Sequence, residues 1–196
     1  MHGLINRSIQ CFLRDTYGPR LWAEVADRAG LGVDGFEAML PYPDALTPAL
    51  LNAAARVLDR PRDGVLEDIG TYLVSHPGIP ALRRLLRFGG VGFVDFLQSL
   101  DDVQGRGRLA VPDLELPQLE LRDHTPGRFT LTCRSAYPGF GHVMVGVLRA
   151  MADDYGALVL LEHQGTRGEV DRIAIELLDQ RFAEGRRFEL LAGGAQ

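Results

Sequence analysis

Lysine is absent from this chain: all 21 basic residues are arginine, a compositional habit that carries no mechanism by itself. Cysteine is nearly absent. Cys11 and Cys133 are the only two; they cannot build a disulfide framework, and so thin a thiol content points to a reducing compartment. No apolar run reaches the length a bilayer crossing needs, and the start lacks the basic segment, apolar stretch and cleavage site of a secretory leader. A cytoplasmic protein is expected. Neither G-x-x-x-x-G-K-[ST] nor a strand-linked G-x-G-x-x-G occurs, which removes the usual phosphate cradles. Gly89, Gly90 and Gly92 read instead as a junction between helices. No Ser-His-Asp or Cys-His set has supporting context, so an enzyme is not expected. The adjacent carboxylates Asp101-Asp102 and Asp153-Asp154 would diverge by about 100° on a helix and cannot converge on one ion; solvated faces or local caps are expected there. The formal net charge of −5 argues against a nucleic-acid binder, which concentrates basic charge on one face. Arg83, Arg84 and Arg87 form a short basic stripe, read as a solvated face partnered by surface acids.

What is present is an ordinary globular composition: 196 residues, 46% hydrophobic and 24% charged, enough for one domain with a real core. The first half has helical periodicity. Leu4, Ile5, Ile9, Phe12 and Leu13 share one face, as do Leu21, Trp22, Val25 and Ala29 before Gly30. Thr47, followed by Pro48, offers an N-cap for a helix to about Leu58. Asp63 is expected to cap the next helix, which His76-Pro77-Gly78 breaks. Ala81 to Phe88 and Val91 to about Gln104 are further helical pieces. After Pro117 the period changes to two. Leu119 to Arg122 and Arg128 to Ser135 alternate as strands around a Thr125-Pro126-Gly127 turn. Gly139 to Tyr155 is helical again, with Val143, Val147, Leu148 and Met151 on one face and Gly156 at the left-handed C-terminal position. Leu158 to His163 and Asp171 to Leu178 form a closing hairpin around Gly165 to Gly168. This predicts an α+β fold over residues 1–196. A helical lobe (1–60) precedes a mixed lobe (61–185) holding about four antiparallel strands, with a tail at 186–196 that frays toward Gln196.

The stretch from Phe93 to Pro117 carries the functional signal. Phe96, Leu97, Leu100, Asp101 and Asp102, with Val103 as a conservative stand-in, then a basic turn and a Pro112-Asp113-Leu114 to Pro117 exit, resemble the haem-binding helix of the H-NOX (haem nitric oxide/oxygen binding) family. The opening MHGLIN with Tyr17-Gly18 and Trp22, and the helix from Gly139 to Tyr155, resemble that family in the same order. The resemblance implies a haem-based nitric oxide sensor domain. In such domains a histidine closes the first motif as axial iron ligand, and a Y-x-S-x-R motif holds the haem propionates.

Here Gln104 stands where the resemblance places the axial histidine. Cys133, Ser135 and Tyr137 stand at the Y-x-S-x-R positions, and Val143 is the distal-pocket position. A carboxamide oxygen is a poor iron donor beside imidazole, thiolate or phenolate, and a neutral phenol cannot replace the charged fork of an arginine. Arg134, one residue away, should point to the opposite face of its strand. Standard haem ligation is therefore expected to be lost. The pocket is expected either to hold another, apolar ligand or to be filled by side chains, leaving a ligand- or protein-interaction module on a separate partner, a histidine kinase or a cyclic-nucleotide signalling enzyme. The alternative is a divergent haem-binding nitric oxide sensor with unusual ligation. His142 reads as a capping or hydrogen-bonding residue rather than a metal ligand, whereas His2, His124 and His163 read as terminal or loop positions. Cys133 reads as a buried, inert thiol and Cys11 as core.

Overall fold

A computed structural model describes residues 2–32, 35–78, 80–87, 89–110, 115–183 and 185, the side chains of 80–82 and 110 excepted. Four helices come first: α1 (Gly3–Tyr17), α2 (Pro19–Arg28), α3 (Leu46–Leu58) and α4 (Arg62–Ser75). Then follow α5 (Pro80–Arg87), α6 (Phe93–Gln98), a 3₁₀ turn at Leu100–Asp102 and α7 (Val103–Ala110). The last third is β1 (Gln118–Thr125), β2 (Arg128–Arg134), α8 (Phe140–Tyr155), β3 (Leu158–Arg167) and β4 (Val170–Asp179). The strands form one antiparallel sheet in the order β1-β2-β4-β3. The α+β class and the helix between the two hairpins are as the periodicity predicts. Gly156 takes φ 70° and ends α8 as expected, since only glycine enters that region without a steric penalty.

Two apolar cores organise these elements. The first joins Ile9, Phe12 and Leu13 of α1 to Trp22 and Val25, to Leu50 and Leu51 of α3, and to Val65, Leu66 and Ile69 of α4. The second places Phe93, Phe96, Leu97 and Leu100 over the inner face of the sheet and the Met144, Leu148 and Met151 side of α8. Helix α8 serves both, because Val143 packs on the first core while Val147 belongs to the second. Helices α4 and α8 cross at almost backbone contact. A Cβ on Gly70 would overlap the Val143 carbonyl, and one on Gly146 would overlap the Glu67 carbonyl. Glycine is needed at both positions because no side chain fits between the backbones.

Several local expectations are corrected. Thr47 caps nothing: α3 starts at Leu46 without a side-chain cap, and the Thr47 hydroxyl donates instead to Asn6 Oδ1, both buried. Asp63 lies inside the first turn of α4, whose N-cap is Pro61. The basic turn after Gln104 is helical. Arg106 projects from α7, donating to Ser99 O at 2.7 Å and Leu85 O at 3.2 Å, so it satisfies open helix-end carbonyls. His124 and His163 sit within β1 and β3 rather than in loops, because those strands outrun their apolar segments. Asp154 is buried and pairs with Arg83, while Arg87 lies 4.1 Å from the Tyr155 ring centroid. The expected solvated stripe thus docks α5 on the end of α8. Phe88, Pro112 to Leu114 and the tail at 186–196 fall outside the described residues.

Candidate functional site

Gln104 opens the second residue of α7, after the 3₁₀ turn has bent the chain away from α6. Its Nε2 donates to Leu116 O at 3.0 Å. Leu116 also lies against Gly107, where a Cβ would overlap its side chain. On the far side of the same segment, Tyr137 Oη donates to Glu115 Oε2 at 3.1 Å. Burial and that carboxylate push the Tyr137 phenol up. Pro117 follows, buried, and leads into β1. Gln104 and Tyr137 thus both bond to residues 115–116, directly before Pro117.

Cys133 points inward from β2 with no exposed surface, and burial pushes its thiol up to about 12. Arg134 points outward and is exposed. Ser135 has left the strand. Its N–H donates to Glu169 O and its Oγ accepts from Tyr137 N at 3.0 Å, so the hydroxyl completes a local turn. Val143 faces α4, half-buried against the first core.

His142, read as a capping or hydrogen-bonding residue, does not cap α8, whose N-cap position is Gly139. His142 instead stacks on His163 with ring centroids 4.0 Å apart and 26° between planes. On one side of this pair, His142 Nδ1 lies 3.5 Å from Glu67 Oε1 and Nε2 lies 3.6 Å from Asp63 Oδ2. On the other, His163 Nε2 and Asp171 Oδ1 are 3.1 Å apart. Buried Asp171 also accepts from Gly141 N at 3.0 Å and from the Thr166 hydroxyl. Arg149 closes the cluster with a 2.8 Å pair to Glu67. Among the described residues, no three or more His, Cys, Asp or Glu are arranged to hold a metal ion.

The sequence reading missed His163 and Asp171. One signal was available: Asp171 occupies the same alternation as Ile173 and Ile175, so an acid falls on an inward strand position. A carboxylate there needs partners. The stacking of two histidines 21 positions apart had no local signal.

Curated relatives and solved structures agree with the architecture. The chain is 23% identical over 158 residues to soluble guanylate cyclase 89Da of Drosophila melanogaster, covering 81% of this chain and 24% of that protein. It is 28% identical over 154 residues to soluble guanylate cyclase gcy-31 of Caenorhabditis elegans, covering 79% and 22%. The chain thus spans about a quarter of the length of these relatives. The H-NOX protein from S. oneidensis, solved in its Fe(II)NO ligation state, superposes with a TM-score of 0.75 at 16% identity. That match covers 91% of this chain and 100% of the other. Among the described residues, no helix is long and apolar enough to cross a membrane. The Haem-NO-binding family matches residues 2–163. The chain belongs to the Haem-NO-binding (HNOB, H-NOX) family.

Proposed function

We propose that this chain is a haem-free member of its family, acting as a non-enzymatic interaction module on a separate signalling polypeptide in the cytoplasm. The observation that carries this reading is the closure of the second core around Cys133, one of the positions the motif assigns to the haem pocket, and around Leu100 of the haem-helix motif. Leu100, Cys133 and Leu148 have no exposed surface, and Met144 keeps only 5%. Pockets that hold cofactors enclose about 300–1,000 Å³, and a void of that size would leave its lining side chains exposed.

Donor chemistry supports the same reading. Gln104 offers a weak carboxamide, already engaged with Leu116. Tyr137, at the propionate-arginine position, holds the carboxylate of Glu115; a second carboxylate placed there would meet repulsion. These residues do not fit haem in the family geometry. The relatives named as guanylate cyclases support a cyclic-nucleotide signalling enzyme as the partner; a histidine kinase is the alternative that the family resemblance implies.

The second reading, a nitric oxide sensor with non-standard ligation, is favoured by the family itself and by the likeness to a protein solved with Fe(II)NO. Haem titration of the purified protein and of Gln104→His separates the two. A filled core gives no stoichiometric Soret band in either protein. A band only in the substituted protein means that the core opens once a ligand is supplied. A strong band in the unsubstituted protein overturns the haem-free reading.

A further inference from the structure

The outward face of the sheet carries a charge pattern that the core does not require. Strand alternation sends Arg122, Thr132, Arg134 and Arg172 away from the core, in register with one another: Arg122 lies opposite Thr130, Thr132 opposite Arg172 and Arg134 opposite Val170. Arg167 at the end of β3 joins that last row. These side chains line an open trough of about 670 Å³, in which four arginines face a single carboxylate, Glu120. Glu120 lies 3.6 Å from Arg122. Among the described residues, Arg134, Arg167 and Arg172 have no ion-pair partner. Five arginines elsewhere are matched: Arg28 with Glu24, Arg60 with Asp68, Arg83 with Asp154, Arg128 with Glu176 and Arg149 with Glu67. Others such as Arg20 stand singly among the described residues; the trough differs in gathering its unmatched arginines on one lining. In a chain of net charge −5, the trough lining carries four guanidinium groups against one carboxylate, while Glu162 and Glu176 lie farther along the same face, so the basic excess is confined to the trough.

The geometry points to this face as the docking surface for an acidic segment of a partner polypeptide, lying across the strands with its carboxylates on Arg134, Arg167 and Arg172. Guanidinium groups pair with carboxylates through two parallel hydrogen bonds. The trough is open and built from side chains on strands. It has no helix N-terminus or run of backbone N–H groups of the kind that encloses a phosphate. Glu120 within the trough opposes a uniform polyanion and suits a segment that interrupts its acids with neutral residues. Val170, Ala174 and the exposed Leu160 share the face and supply apolar contact for such residues. Four strands about 4.8 Å apart make a platform about 14 Å wide, which some five extended residues cross.

This inference deepens the interaction-module reading and rests on it only for the expectation of a polypeptide partner. The haem titration is blind to these arginines, so the two fail separately. The test is fluorescence anisotropy of a labelled peptide of about eight residues in which glutamate alternates with alanine, at about 0.15 M ionic strength, where unfocused surface charge is screened beyond about 8 Å. The unsubstituted protein binds the peptide. The combined Arg134→Glu, Arg167→Glu and Arg172→Glu protein loses about tenfold or more, as like-charge juxtaposition across an interface demands. The matching Arg→Gln set loses less, and Arg20→Glu on α2 changes nothing. These side chains are exposed, and unchanged circular dichroism separates lost binding from lost fold. Absence of binding by the unsubstituted protein would overturn the proposal, as would an equal loss in Arg20→Glu. Tighter uptake of inorganic pyrophosphate than of the peptide would make this a small-anion site and would also overturn it.

Discussion

Around Gln104 each polar side chain closes its own stretch of backbone, whereas around His142 the ionisable groups of α4, α8, β3 and β4 meet one another. Gln104 and Tyr137 both grip residues 115–116, so their polarity serves local geometry next to an apolar core. His142, His163, Glu67 and Asp171 span separate elements, and their geometry depends on how α4 and the sheet approach α8. The first region can lose one interaction and keep its shape. The second cannot, because Asp171 holds three partners at once.

The largest effect is expected at Asp171. Asp171→Ala leaves a buried N–H, a hydroxyl and an imidazole without their acceptor and should cost about 3–5 kcal/mol, read from the urea midpoint at unchanged slope. A loss below about 1 kcal/mol would mean that the cluster is solvated and the contrast is false. Next is the helix crossing. Gly146→Ala forces α8 away from the Glu67 carbonyl and should cost about 1–3 kcal/mol. Hydrogen exchange should rise along both α4 and α8 rather than α8 alone. Gln104→Ala removes one partly buried bond and should cost about 0.5–1.5 kcal/mol, with local exchange confined to the segment before β1.

The smallest effect concerns Cys133. Its folded-state thiol is pushed up from an ordinary 9.0 to about 12, first by burial and then by Asp171. The folded state holds a proton that the unfolded state releases. The stabilisation is therefore complete below about pH 9 and is lost as pH rises toward 12. Cys133→Ala should flatten that alkaline decline in denaturation curves. In the native protein, half-buried Cys11 should react with iodoacetamide well before Cys133 does.

Much of the fold was legible because its signals are local. Amphipathic spacing in α1 and α2, alternation in β2, and Gly156 after α8 each act within a few residues of where they are read. The site was legible only as a set of positions. Motif order brought Gln104, Cys133, Ser135, Tyr137, Val143 and Pro117 forward, yet what they touch was hidden. Leu116 is 12 residues beyond Gln104 and reaches it only because the chain turns back before β1. Asp154 read as solvated because adjacent acids on a helix usually are. Arg83, 71 residues earlier, arrives to bury it.

Residue order alone determined the helix and strand periods and the inward Cys133 and outward Arg134, and through the motif resemblance it proposed an amide, Gln104, for the axial-ligand position. Those are consequences of backbone repeat and side-chain chemistry, which need no neighbour. Packing decided the rest: that the inner core closes over Leu100 and Leu148, that two histidines stack between acids from separate elements, and that three arginines on one sheet face stand without ion-pair partners among the described residues. Each depends on contacts between segments far apart in sequence, whose positions follow from how the helices and sheet bury their apolar faces together.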